Sequence, residues 1–287
     1  MSRTDPPPAG DGATTVTDVV AARTLLFVPG NRPERYAKAA ASGADVIVVD
    51  LEDAVAPGEK DLARESALRW FADGHPGIVR VNAVGTPWHA DDLDALAEVV
   101  DVLFLPKADS AGEVAGVASR LRPAGGVLAL VETAAGVLSA PRVAALPGVC
   151  RLAFGNFDFA AQLGIHRDDH WALAPMRTAV VVASAAAGLP APVDGVSGAI
   201  DDQEVIAADA AHSARLGFGG KLCIHPRQVG TVGDGFLPSE DDVAWAGRVL
   251  EVVADAGPGA ATLDGAMIDR PVVDRARRIV EMSRRRP

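Results

Sequence analysis

The sequence has little cysteine: Cys150 and Cys223 are the only two in 287 residues. Both sit inside apolar, strand-like runs, so they read as small core residues rather than a disulfide framework. That usage fits a reducing cytoplasm. No apolar run approaches the roughly 18 residues that a membrane-spanning helix needs, and the N-terminus shows no charged-then-apolar signal pattern. No membrane role is expected. Excess positive charge is missing too. Lys and Arg number 27 against 38 Asp and Glu, a net charge of −11 that argues against nucleic acid or anionic membrane as the main partner. Aromatic residues are sparse at 5%, and Trp70, Trp88, Trp171 and Trp245 are scattered without a base-stacking pattern.

What the chain does have is a regular alternation. Hydrophobic residues make up 49% of it, ample for a large core. Apolar runs with strand character occur at 24–29, 45–51, 78–82, 101–106, 127–133, 150–155, 191–196 and 221–226. Between them lie Ala-rich segments with helical spacing, at 34–41, 62–70, 91–100, 174–187 and 202–215. Eight strands alternating with helices predict an α/β fold, a (β/α)8 TIM barrel over 23–236. A doubly wound sheet is the rival, but no strand is followed by a GxGxxG turn that opens a helix. Residues 1–22, rich in Pro, Gly and Thr, read as a disordered segment. Residues 237–287 read as a C-terminal helical extension or lid involved in oligomerisation. Ser239 is its expected first N-cap, a Gly/Pro hinge is expected at 256–260, and a last helix is expected from Pro271 to about Arg285.

Polar residues collect where the strands end. Arg32 follows the first strand, Asp50, Glu52 and Asp53 close the second, and Arg80 and Asn82 fall in the third. Lys107 follows the fourth, Glu132 ends the fifth, Asn156 and Asp158 follow the sixth, and Asp194 and His225 belong to the seventh and eighth. In such barrels the carboxyl ends of the strands build the active site. Glu132 and Asp158, from neighbouring strands, suit Mg²⁺, a hard ion held by one or two carboxylates plus substrate oxygens. Arg80, interrupting an apolar run, offers a planar fork for a substrate carboxylate. Lys107 is either a Schiff-base nucleophile or an ion-pair partner. His166 and His170 have i, i+4 spacing but no third ligand for zinc. His225 at a strand end reads as a base or a core histidine, the second favoured.

The motifs taken in series resemble the citrate lyase β-subunit-like CoA-ester lyases of the HpcH/HpaI aldolase superfamily. They are RTLLFVPGNRPERYAKAAASGADVIVVDLEDAV (23–55), VRVNAVGTPW (79–88), LPKADS (105–110), LVETAAG (130–136), FGNFDFAAQLGI (154–165), GKLCIHPRQV (220–229) and LDGAMIDRPVV (263–273). The resemblance implies a Mg²⁺-dependent barrel (Mn²⁺ as the substitute ion), usually a homotrimer or hexamer. Its substrates would be CoA thioesters such as citryl-, malyl- or citramalyl-CoA, cleaved to an acyl-CoA and a 2-oxo acid. It implies that Arg80 binds the oxo-acid carboxylate and that Glu132 and Asp158 hold the metal, Glu132 also touching substrate. Asp269 would serve as a lid aspartate acting on a neighbouring subunit's site, and Arg32 and Lys38 would lie near the CoA phosphates. Two positions depart from the pattern: Phe157 stands where many relatives carry Glu, and Ala135 where many carry Arg. The alternatives are a β-type subunit acting on a carrier-protein thioester, and a Schiff-base aldolase through Lys107.

Overall fold

The computed structural model describes residues 12–256 and 261–283. Eight parallel strands close into a barrel in sequence order: β1 (Thr24–Pro29), β2 (Val46–Asp50), β3 (Ile78–Arg80), β4 (Val102–Leu105), β5 (Gly126–Val131), β6 (Val149–Phe154), β7 (Val193–Asp194) and β8 (Gly220–Cys223). Closure runs through β1 and β8, where Thr24, Leu25 and Leu26 register with Lys221, Leu222 and Cys223. Each strand is covered on both sides, which is why the runs are apolar throughout and do not alternate with polar residues. Leu25, Val48, Ile78, Phe104, Leu128, Leu130, Ala153, Val193 and Leu222 share one core cluster.

The helices of this unit are α1 (Val16–Ala21), α2 (Tyr36–Ala40), α3 (Lys60–Ala72), α4 (His89–Leu96), α5 (Ala111–Ala118), α6 (Ala134–Ala144), α7 (Asn156–Leu163), α8 (His170–Ala186), α9 (Gln203–Leu216) and α10 (Pro226–Gly235). Helix α1 corrects the expectation of disorder across 1–22, of which residues 1–11 lie outside the described residues. Thr15 and Asp18 form a reciprocal capping box, and Val19 is fully buried in the core cluster. Arg151, at the start of β6, donates to the carbonyls of Val19 (2.8 Å) and Ala22 (2.7 Å). A short helix is thereby tied to the amino ends of the strands. His225 is also corrected. It is half-buried at the start of α10, where its Nδ1 accepts from the Arg227 amide at 3.2 Å, so it caps a helix rather than filling the core.

A second compact unit begins at Phe236. It contains α11 (Glu240–Ala256), an antiparallel pair β9 (Ala261–Leu263) and β10 (Ala266–Ile268), and α12 (Arg270–Ser283). Ser239 Oγ accepts from the Asp242 amide at 3.0 Å, as an N-cap does. Asp264 and Gly265, both at positive φ, turn β9 into β10 in the way Asp-Gly pairs favour. Ala246, Val249, Ile268 and Ala276 form the unit's own core. Residues 257–260 of the expected hinge, and Arg284 and Arg285 of the last helix, lie outside the described residues.

Candidate active site

At the carboxyl ends of the strands lies a cavity of about 380 Å³. Phe27, Leu130, Phe157, Val196 and Leu222 give it apolar walls, and Asp50, Asp53, Arg80, Glu132, Asn156 and Asp158 supply its polar groups.

Glu132 directly follows β5, where the buried strand ends, and is only 3% exposed. Its position is enforced from behind: a Cβ on Gly155 would come within 2.4 Å of Glu132 Cβ and 2.7 Å of its Oε2. Only glycine fits there. The Lys107 amide donates to Glu132 Oε1 at 2.9 Å, from a residue held at a left-handed φ of 48°. For a non-glycine residue that backbone is strained, as is common at functional sites. Burial, with the nearby charge of Glu52, pushes the Glu132 carboxyl up to about 8, against the opposing pull of Lys107. Asp158 lies in the first turn of α7, with its side chain 41% exposed.

The Lys107 ammonium reaches three carboxylates: Glu52 at 2.7 Å, Asp158 at 3.5 Å and Glu132 at 3.8 Å. Burial opposes its charge, but the Glu52 hydrogen bond and the surrounding carboxylates hold it well above the ordinary lysine range. A Schiff base needs a neutral amine, so this environment opposes the Schiff-base alternative. The same surroundings favour a cation. Five carboxylates, Asp50, Glu52, Asp53, Glu132 and Asp158, pair here with two cations, Arg80 and Lys107, and Glu52 itself meets both, Arg80 at 3.2 Å and Lys107 at 2.7 Å.

Arg80 is placed as expected but engaged differently. Its Nε and Nη2 donate to the two oxygens of Asp50, both at 2.7 Å, and its plane lies 4.6 Å from the Phe27 ring. Burial works against the charge on Asp50, but the Arg80 pairing and two backbone amides keep its carboxyl below the usual range. One edge of the guanidinium is therefore taken, and its Nη1 side lies 3.2 Å from Glu52 and 3.8 Å from Asp53, so a substrate carboxylate would meet Nη1 in competition with these two. Asp50, Glu52 and Lys60 carry structural weight that spacing along the chain did not assign. Lys60, 5% exposed, donates to the Leu51 and Glu52 carbonyls and to Asn82 Oδ1, each at 2.6 Å, and so fixes the loop bearing Glu52. The acidic DLED run marked this loop, but nothing marked Lys60.

Among the described residues no three His, Cys, Asp or Glu side chains form a metal-ligand cluster. His166 and His170 do not converge: His166 is exposed, while His170 turns to Arg177. A hard ion needs no such cage. Glu132 and Asp158 both line the cavity with oxygen donors in a place that attracts a cation, and this donor set fits Mg²⁺. Arg32 and Lys38 lie at the rim after β1, outside the cavity lining. Arg32 Nε donates to Glu34 at 2.6 Å, and Lys38 is exposed on α2. Asp269 belongs to the second unit, where it caps α12 by accepting from the Val272 amide at 3.1 Å.

Residues 23–226 match the model of the HpcH/HpaI aldolase/citrate lyase family. A citrate lyase subunit beta-like protein of Mycobacterium tuberculosis is 38% identical over 261 residues, 88% of this chain and 92% of that protein. A (3S)-malyl-CoA thioesterase of Cereibacter sphaeroides is 36% identical over 256 residues, 86% of this chain and 89% of that one. Among solved structures, protein CitE of M. tuberculosis in complex with magnesium, acetoacetate and coenzyme A superposes with a TM-score of 0.80 at 36% identity. That match covers 92% of this chain and 98% of the other.

Proposed function

The chain belongs to the HpcH/HpaI aldolase/citrate lyase family, and from that premise we propose that it is a Mg²⁺-dependent carbon–carbon lyase. Its substrate would be a 3-hydroxyacyl-CoA ester of the citryl, malyl or citramalyl kind, cleaved to an acyl-CoA and a 2-oxo acid. The observation that carries this reading is the buried Glu132, pushed up to about 8 beside Asp158 and Lys107 and opposite Arg80 in one cavity. The magnesium, acetoacetate and coenzyme A held by the structural neighbour support it.

Glu132 and Asp158 would hold the ion, which when bound supplies Lewis-acid polarisation of the 2-oxo acid oxygens. Arg80, through its Nη1 side, would fix the carboxylate of that half. The Lys107 ammonium, kept charged by Glu52, adds a second positive charge beside the reacting oxygens. Phe27, Leu130 and Leu222 exclude water from the bond being broken. The 3-hydroxyl loses its proton and the bond between C2 and C3 breaks. Its electron pair enters the thioester enolate, which is then protonated at C2. Asp269 of a neighbouring copy in a homo-oligomer would move these protons, and Arg32 and Lys38 would meet the CoA phosphates. Mixing inactive Glu132→Gln and Asp269→Asn chains is then expected to restore part of the activity, since each mixed oligomer contains some intact sites. No restoration would place Asp269 in the site of its own chain, and an active Asp269→Asn chain would place it outside the reaction.

A second reading follows from the subunit-like relative: the chain works inside a larger lyase on a carrier-protein thioester. Incubating the isolated protein and Mg²⁺ with the citryl, malyl, β-methylmalyl and citramalyl esters, while measuring 2-oxo acid and free CoA, separates these readings. Oxo acid with acyl-CoA supports the stand-alone lyase. Free CoA alone indicates thioester hydrolysis, and no product indicates a missing partner.

A further inference from the structure

A second cavity, of about 430 Å³, lies between the loop after β7 and helices α8 and α9. It shares Asn156 and Val196 with the first cavity, so these two residues form a wall common to both. Asn156 fastens that wall: its amide donates to the Val196 carbonyl at 3.1 Å, and its Oδ1 accepts from the Val196 amide at 2.9 Å.

Inside, the polar groups are unevenly satisfied. Arg177, 1% exposed, donates through Nε to Asp194 at 3.0 Å and contacts His170 Nδ1 at 3.3 Å. A guanidinium only donates, so His170 Nδ1 is the acceptor and its Nε2 carries the proton. That Nε2 points toward Asp209 Oδ1 at 3.7 Å, too far for a direct hydrogen bond. Asp209 meets Lys221 through its other oxygen at 3.2 Å, so its charge is offset from behind while Oδ1 is left buried without a partner. His212, its ring tilted by 44° against that of His170 with centroids 4.4 Å apart, also leaves Nε2 buried and unpartnered. At the mouth stand Arg167, lying 4.5 Å over the Phe157 ring and paired at 3.8 Å with Asp168, which also lines the cavity, and Arg215, which makes no ion pair among the described residues.

The combination selects a ligand. Two arginines at the entrance call for an oxyanion. The buried Asp209 Oδ1, an acceptor, would repel a bare anion but would take a donated hydroxyl, and the His170 Nε2–H would give one back. We propose that this cavity binds a small oxyanion that carries its own hydroxyl, such as a hydrogen phosphate group or a 2-hydroxy carboxylate. The assignment does not depend on the chemistry proposed for the first cavity.

Calorimetric titration of the metal-free protein with inorganic phosphate, sulfate, glycolate and acetate tests it. Each pair differs chiefly in the hydroxyl. Phosphate is expected to bind at least about tenfold more tightly than sulfate, and glycolate than acetate, because a site built for a hydroxyl leaves buried polar atoms unpaired without it. Binding of phosphate but not glycolate identifies a phosphate group, and the reverse a hydroxy acid. Arg215→Gln, an exposed change that leaves the fold intact, is expected to weaken binding about tenfold. Glu132→Gln, in the first cavity, is expected to leave binding unchanged. Equal affinity within each pair, no effect of Arg215→Gln, loss of binding in Glu132→Gln, or no binding of any anion at millimolar concentration would each overturn the proposal.

Discussion

Glu132 concentrates the physical tension of the molecule at one carboxyl group. Burial raises its proton affinity to about 8, from an ordinary value of 4.5. The folded, metal-free protein therefore holds a proton that the unfolded chain releases near 4.5. The stability this contributes is fully present below that value and is lost as pH rises through about 8. Replacing Glu132 by Gln removes the dependence. Denaturant unfolding of the metal-free variant at pH 8.5 is expected to show greater stability than the parent, by an amount on the order of a few kcal/mol, with the difference vanishing near pH 4.5. Parallel pH curves for the two proteins would show that the carboxylate ionises normally. Gly155 supplies the second test at this scale. Alanine there puts a methyl group 2.4 Å from Glu132 Cβ, so the carboxylate must shift. A loss of about a hundredfold in kcat is expected, with the circular dichroism spectrum retained, because displacements near 1 Å carry costs of that size.

At the scale of elements, the sequence was most informative where burial leaves a simple signature. Parallel strands enclosed on both faces are apolar throughout, so β1 to β8 stand out, and β1 runs from Thr24 to Pro29 as read. Helical spacing does not separate out α1, α5, α6, α7 and α10. Two are interrupted by glycine in sequence, as in AGEVAGVA and PRQVGTVGDG, and α6 contains Pro141, so local propensity is weak and barrel packing decides. The carboxylates at strand ends were legible one by one. Their partners were not: Asp50 and Arg80 are 30 residues apart, and no periodicity links them. The buried cluster under β7 makes the element-scale prediction. Asp194 is wholly buried. Desolvation disfavours its charge, but Lys221, Arg177 and the Ser213 hydroxyl hold its carboxyl down to about 2. Its stabilisation is present above the unfolded value of 3.8 and is lost as pH falls through about 2. Asp194→Asn leaves Arg177 without its carboxylate and Lys221 with Asp209 alone, and is expected to cost about 3–5 kcal/mol in denaturant unfolding at neutral pH. A cost below about 1 kcal/mol would mean that the two cations find other partners.

At the scale of the whole molecule, a barrel whose amino end is tied down by α1 presents a carboxylate-rich cavity at its carboxyl end. A second cavity adjoins it through Asn156. The central claim is that Glu132 and Asp158 together make the cleavage depend on a divalent ion. The most direct measurement is the rate of 2-oxo acid release from the best CoA ester against Mg²⁺ concentration, for the parent chain, Glu132→Gln and Asp158→Asn. The account predicts saturable Mg²⁺ dependence abolished by EDTA in the parent, and rates about a thousandfold lower in both variants at saturating ion. Cleavage that persists in EDTA, or full metal-dependent activity in either variant, would contradict it.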